Sequence, residues 1–156
     1  MLFHLPTIIT IGIDIVAWFL IHMGVSYMAT RISLHSFNPD SWLYRGRRWE
    51  KGGRTYEKLF KLKQWKNKLP DGAALFKSGF EKKHLTEKNK EYYSNFIKET
   101  CRAEITHWVV FLFGFTFFIW NIWWVGIIMI VYASAVNMPC IVTQRYNRIR
   151  LKRVVK

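Results

Sequence analysis

Between His107 and Gln144 the chain runs through residues 108–143 without a Lys, Arg, Asp, Glu or further His. A bilayer core is about 30 Å thick and a helix rises about 1.5 Å per residue, so one crossing takes about 20 residues. The stretch is too long for one crossing and suffices for two short ones, with its turn-like residues, Asn121, the Trp123-Trp124 pair and Gly126, near the middle. It predicts a membrane hairpin over 107–144 whose two polar ends return to the same face. Glu104 and His107 lie on the way in, and Gln144, Arg145, Asn147, Arg148 and Arg150 on the way out. Residues far apart in sequence are thereby brought to one depth.

Charge follows the same division. A hydrophobic fraction of 51% beside a net charge of +14 is unusual for a soluble chain of 156 residues. The two are reconciled by segregation: all 24 Lys and Arg fall in 31–102 or 145–156, with none in 1–30 or 103–144. Residues 5–30 supply a further span, entered through Pro6 and ending before Arg31, with no basic leader, which fits an uncleaved signal-anchor helix. The positive-inside rule then places the N-terminus outside and both basic segments, 31–106 and the tail 145–156, on the cytoplasmic side of the cell membrane. Asp14 and His22 lie inside the first span, eight residues apart and roughly on one helical face. At that depth they either carry function or are paired against the hairpin.

The central region, 31–106, is too basic and too short to bury a large core, so it is expected on the membrane surface. Residues 54–69 place Tyr56, Leu59, Phe60, Leu62, Trp65 and Leu69 mostly along one stripe among Lys58, Lys61, Lys63, Lys66 and Lys68. That is the pattern of an interfacial helix drawn to anionic lipid headgroups. Pro70-Asp71-Gly72 stops it, and a second helix with Thr86 as N-cap runs without a breaker toward the hairpin. Glu104 and His107, at i and i+3, then share a face of one helix passing from cytoplasm into lipid. The expected fold class is an all-α integral membrane protein, a single domain with three transmembrane helices and a basic, interfacial helical region.

Two cysteines, Cys101 and Cys140, make no disulfide framework near a reducing face. Cys101, Glu104 and His107 do not converge as metal ligands on a helix, so neither a metal nor a cofactor is expected. Basic stretches beside spans are accounted for by topology and headgroups rather than by nucleic acid.

Four blocks carry a resemblance: WKNKLPDG (65–72), KKHL (82–85), ETCRAEITHW (99–108) and NMPCIVTQRYNRIRL (137–151). In this order and at these intervals they resemble the glycosyl-4,4'-diaponeurosporenoate acyltransferase family, over roughly residues 50–151. The matching positions are Trp65, Lys66, Lys68, Asp71, Gly72, His84 and Leu85 in the first two blocks. The third matches at Arg102, Ala103, Glu104, His107 and Trp108, and the fourth at Asn137, Pro139, Gln144, Arg145, Tyr146, Asn147, Arg148, Arg150 and Leu151. The resemblance implies transfer of a fatty acyl group to a sugar hydroxyl of a membrane glycolipid, the last step of staphyloxanthin-type carotenoid synthesis.

Esterifying an alcohol requires a base for its proton, a partner to orient that base, and donors for the developing oxyanion. His107 is the first candidate base, with Glu104 one turn earlier to hold its tautomer. The alternative is that both merely anchor the helix, paired with Arg145 or Arg148. His84 with Asp71 across the turn is the competing base. Arg145, Arg148 and Arg150 are candidates for the phosphates of an acyl thioester donor, acyl-CoA or acyl carrier protein, or of the lipid, with Arg102, Lys66 and Lys68 as further substrate-binding candidates and Gln144 and Asn147 for sugar or oxyanion. A non-enzymatic membrane protein docking a partner or anionic lipid through its basic region is the rival reading.

Overall fold

The computed structural model describes residues 6–66 and 90–155, and every regular element among them is helical. The order is α1 (Thr7–Arg31), 3-10 turns at Leu34–Ser36 and Arg48–Gly53, α2 (Arg54–Phe60), α3 (Leu62–Trp65), α4 (Lys90–Phe113), a 3-10 segment Gly114–Ile119, and α5 (Trp123–Val155). Three stretches, Thr7–Arg31, Lys90–Ile119 and Trp123–Val155, are long and apolar enough to cross a membrane. The chain is an all-α membrane protein.

α1 starts behind Pro6, whose carbonyl accepts the Ile9 and Thr10 amides, and closes with Arg31 in its last turn, where a cation complements the helix dipole. α4 begins in charged sequence and ends in apolar sequence without interruption, so Glu104 and His107 do lie on one helix that crosses between the two regimes. The expected N-cap, Thr86, lies outside the described residues. α5 passes straight through Pro139, which has no amide for the carbonyl one turn back; membrane helices tolerate this where neighbouring groups compensate. Thr143 Oγ1 in turn donates to the Pro139 carbonyl at 2.8 Å.

The hairpin turns slightly earlier than its tryptophan pair suggests. Trp120 to Ile122 make the reversal, and Trp123 and Trp124 open α5. Gly126 shapes the turn by close approach: a Cβ there would stand 2.4 Å from Phe118 Cδ1.

α1 lies against the hairpin with its start at the turn. Asp14, buried, accepts Trp120 Nε1 at 2.7 Å and Asn121 Nδ2 at 2.8 Å on Oδ1. One turn further Trp18 stacks on Phe117 and packs with Val110 and Ala133 in the main apolar cluster. The opposite faces expose Ile8, Ile15, Phe19, Leu112, Trp123, Ile127 and Val131, as lipid-facing surfaces do.

Residues 32–66 form a collar around the basic ends of α4 and α5. Of the single interfacial helix expected over 54–69, residues 67–69 lie outside the described residues, and over 54–66 the helix is broken, because Lys61 takes a left-handed conformation (φ 46°) between α2 and α3. The break splits the stripe. Tyr56 and Leu62 turn inward onto Tyr146 of α5, while Leu59 and Phe60 are left exposed. Ahead of α2, Lys51, Gly52 and Gly53 run through three successive positive φ angles of 44°, 65° and 93°. Gly53 is required there, since a Cβ would also meet the Tyr146 ring at 3.2 Å. Phe37 and Tyr44 close the other side of the collar on Cys101.

Candidate active site

The two polar ends of the hairpin do converge, and a carboxylate lies at their centre. Glu104 of α4, 1% exposed, receives Arg145 Nη1 on Oε1 at 2.8 Å and Arg148 Nη2 on Oε2. Arg148 is equally buried; its Nε donates to the Tyr44 carbonyl at 3.0 Å and its Nη1 reaches Thr100 Oγ1 at 3.4 Å. Arg145 bridges outward, donating from Nε to Glu50 Oε1 at 3.0 Å. Glu50, in the collar, also accepts the Tyr56 hydroxyl at 2.5 Å and the Arg47 amide. Burial opposes ionisation of Glu50, yet the bonds from Arg47, Tyr56 and Arg145 outweigh it and hold the carboxyl below its usual range. The Tyr56 hydroxyl is pushed up by burial and by its bond to Glu50. Two carboxylates and two guanidinium groups thus form one buried chain tying α4, α5 and the collar together.

His107 has a different neighbour. Its Nδ1 lies 3.0 Å from Asn137 Oδ1 on α5. The orientation of Asn137 is set by its other end, since Nδ2 donates to the Ala133 carbonyl at 2.9 Å. Oδ1 can only accept, so the His107 proton on that side sits on Nδ1, and in the neutral ring the lone pair is on Nε2. Asn137 is fully buried.

A third cluster lies toward the surface around Tyr146. Its hydroxyl donates to Glu57 Oε1 at 2.5 Å, and Arg150 Nη1 approaches the same oxygen at 3.1 Å and the hydroxyl at 3.2 Å. Lys63 pairs with the other Glu57 oxygen at 3.1 Å. Lys66 Nζ and Arg150 Cζ flank the Tyr146 ring at 5.3 and 5.6 Å. Burial first, then the like charges of Arg150 and Lys63, push the Lys66 ammonium below its ordinary value. Two cations, Lys63 and Arg150, therefore pair with one carboxylate, and Lys66 lies against the same tyrosine ring.

Of the remaining sequence candidates, Arg102 pairs with Glu99 at 2.5 Å along α4. Gln144 has its Oε1 buried with no hydrogen-bond partner among the described residues, and Asn147 is half-buried. His84, Asp71 and Lys68 lie outside the described residues. Glu50, Tyr44 and Thr100 are site members that the sequence did not single out, while Asn137 entered only as a matching position and Tyr56 only as part of the lysine-flanked stripe. Asn137 was legible in principle, as a lone amide in the otherwise apolar run of a helix. Glu50 was visible only as one acid among many bases.

Residues 39–156 match the family model described as glycosyl-4,4'-diaponeurosporenoate acyltransferase. The chain belongs to that family. It is 32% identical over 139 residues to the glycosyl-4,4'-diaponeurosporenoate acyltransferase of Staphylococcus aureus strain bovine RF122, covering 89% of this chain and 84% of that one. The proteins of the same name from strains N315 and USA300 match at the same identity and coverage. No solved structure matches the chain. As a member of an acyltransferase family the protein is an enzyme of acyl transfer, which sets aside the reading of a docking protein without catalysis. The matched region takes in both Glu104 with its arginines and the His107–Asn137 pair.

Proposed function

We propose that this enzyme moves a fatty acyl group from an activated thioester donor to a sugar hydroxyl of a membrane glycolipid, a glycosyl carotenoid or a related lipid. The observation that carries the reading is the His107–Asn137 pair, a histidine with a fixed tautomer between two membrane helices. His107 Nε2 takes the proton of the acceptor hydroxyl as its oxygen attacks the thioester carbonyl carbon. The C–S bond then breaks and the imidazolium returns the proton to the departing thiolate. Asn137 performs the orienting role that the spacing suggested for Glu104.

Glu104, Arg145 and Arg148 brace the site. Their charges are spent on one another, and Arg148 is too buried to greet a soluble donor. The donor's phosphates are better served by Lys66, Lys63 and Arg150, of which only the last two pair with the Glu57 carboxylate. Exposed Trp42, Trp49, Leu59 and Phe60 beside Arg47, Lys58 and Lys61 suit a collar resting in anionic headgroups. The three spans with segregated charge support an N-terminus outside, with the collar and the C-terminus cytoplasmic.

The test is acyl transfer by purified protein in nanodiscs, followed by mass spectrometry of a glycolipid extract for a gain of one acyl group. His107→Ala should lower the rate about 10²- to 10⁴-fold with folding retained, the usual worth of a positioned base. Near-normal turnover in His107→Ala, with loss in His84→Ala, would move the base to His84 and Asp71.

A further inference from the structure

The face of α1 that meets the hairpin carries Trp18, Ile21, His22 and Val25. The His22 ring lies 5.6 Å from that of Trp18, and its Nε2 is buried with no hydrogen-bond partner among the described residues. Buried polar atoms are nearly always partnered, and an orphan on a ring nitrogen is a reason to look for a ligand. Proton transfer at His107 leaves it unused.

Its depth is informative. α1 runs away from the hairpin turn, where Asp14 is held by Trp120 and Asn121, toward the basic ends. His22 lies four residues beyond Trp18, about 6 Å along the axis at 1.5 Å per residue. Trp18 packs against Val110 and Ala133. His107 lies three residues, about 4.5 Å, to the basic side of Val110, and Asn137 four residues, about 6 Å, to the basic side of Ala133. All three side chains therefore fall within about one turn of depth, one from each membrane helix.

We propose that His22 is a substrate-binding residue whose Nε2 hydrogen-bonds the sugar of the acceptor lipid beside His107; this rests on the acyl-transfer reading above. The chemistry of the nitrogen selects the sugar. A neutral imidazole nitrogen donates or accepts according to tautomer, and a sugar hydroxyl answers either way, whereas a thioester carbonyl only accepts. A sugar lowered into an apolar layer also needs more than one partner at one level, and His22 and His107 provide two from different helices.

The test uses full-length protein with 15N-labelled histidine rings in nanodiscs, titrated with dodecyl β-D-glucoside. The His22 resonances are assigned by their loss in His22→Gln. The glucoside should shift His22 Nε2, and His22→Phe, which keeps a ring against Trp18, should weaken its apparent Kd about tenfold, the worth of one hydrogen bond. His22→Gln, which restores a polar atom near the same place, should recover most of that loss. A silent His22 in the wild-type protein, or a Kd in His22→Phe within about twofold of wild type, overturns the assignment. A shifted His22 without any acyl transfer would leave the sugar site standing and remove the proposed reaction. Acyl transfer with a silent His22 would do the reverse.

Discussion

Replacing Glu104 by Gln removes one charge and almost no volume, so the effect isolates the electrostatics of the buried chain. Arg148 suffers most. Its other partners, the Tyr44 carbonyl and Thr100 Oγ1, are neutral, so the substitution leaves a guanidinium at 1% exposure without a counter-charge. Arg145 suffers less because Glu50 still holds it at 3.0 Å. Breaking a buried pair from one side costs about 3–5 kcal/mol, and the figure for Glu104→Gln should fall in that range. Arg148→Met should lie toward its lower end, since Glu104 keeps Arg145. The double variant should cost less than the two single losses added, with a coupling of about 2–3 kcal/mol. The assay is reversible unfolding in mixed micelles, read by tryptophan fluorescence and compared at equal micelle composition. As a control, Glu57→Gln in the solvent-facing group with Lys63 and Arg150 should shift the midpoint little. A Glu104→Gln midpoint within about 0.5 kcal/mol of wild type would refute the reasoning, because that is the scatter of ordinary surface changes.

Two further outcomes follow from the collar and the spans. The Glu50 carboxyl is depressed in the folded state, so its contribution to stability is full above the unfolded carboxylate value and is lost as pH falls through the lower folded one. Stability measured over the acid range should therefore lose part of its pH dependence in Glu50→Gln, and an unchanged acid limb would show that the bond network does not set it. For topology, a cysteine at position 124 should react with an impermeant thiol reagent added to intact cells and one at position 48 should not; the reverse pattern would invert the orientation.

How much of the fold was legible in the chain depended on whether a feature is set by local pattern or by packing. The membrane spans were readable because a soluble fold of this size seldom tolerates an uncharged run of bilayer length. α4 was readable as a continuous helix because nothing in residues 90–113 breaks it. The break at Lys61 was not, because a lysine carries no signal for a left-handed backbone; the inward turn of Tyr56 and Leu62 onto Tyr146 selects it. The convergence of Glu104 with Arg145 and Arg148 followed from the hairpin alone. That His107 would meet Asn137 depended on the register of α4 against α5, which small interhelical shifts decide and periodicity does not report.

The bond between Asp14 and the hairpin turn has a consequence for how the protein is made. Asp14 and Asn121 are 107 residues apart, so at roughly 5–20 residues per second the carboxylate waits about 5–20 s after its own synthesis before its amide partner exists. A carboxylate is expensive in hydrocarbon, and during that interval only water or a headgroup is available to it. Until then the outer end of the first helix has no protein partner for its acid, and its seating against the hairpin is completed only when the last helix pair is made.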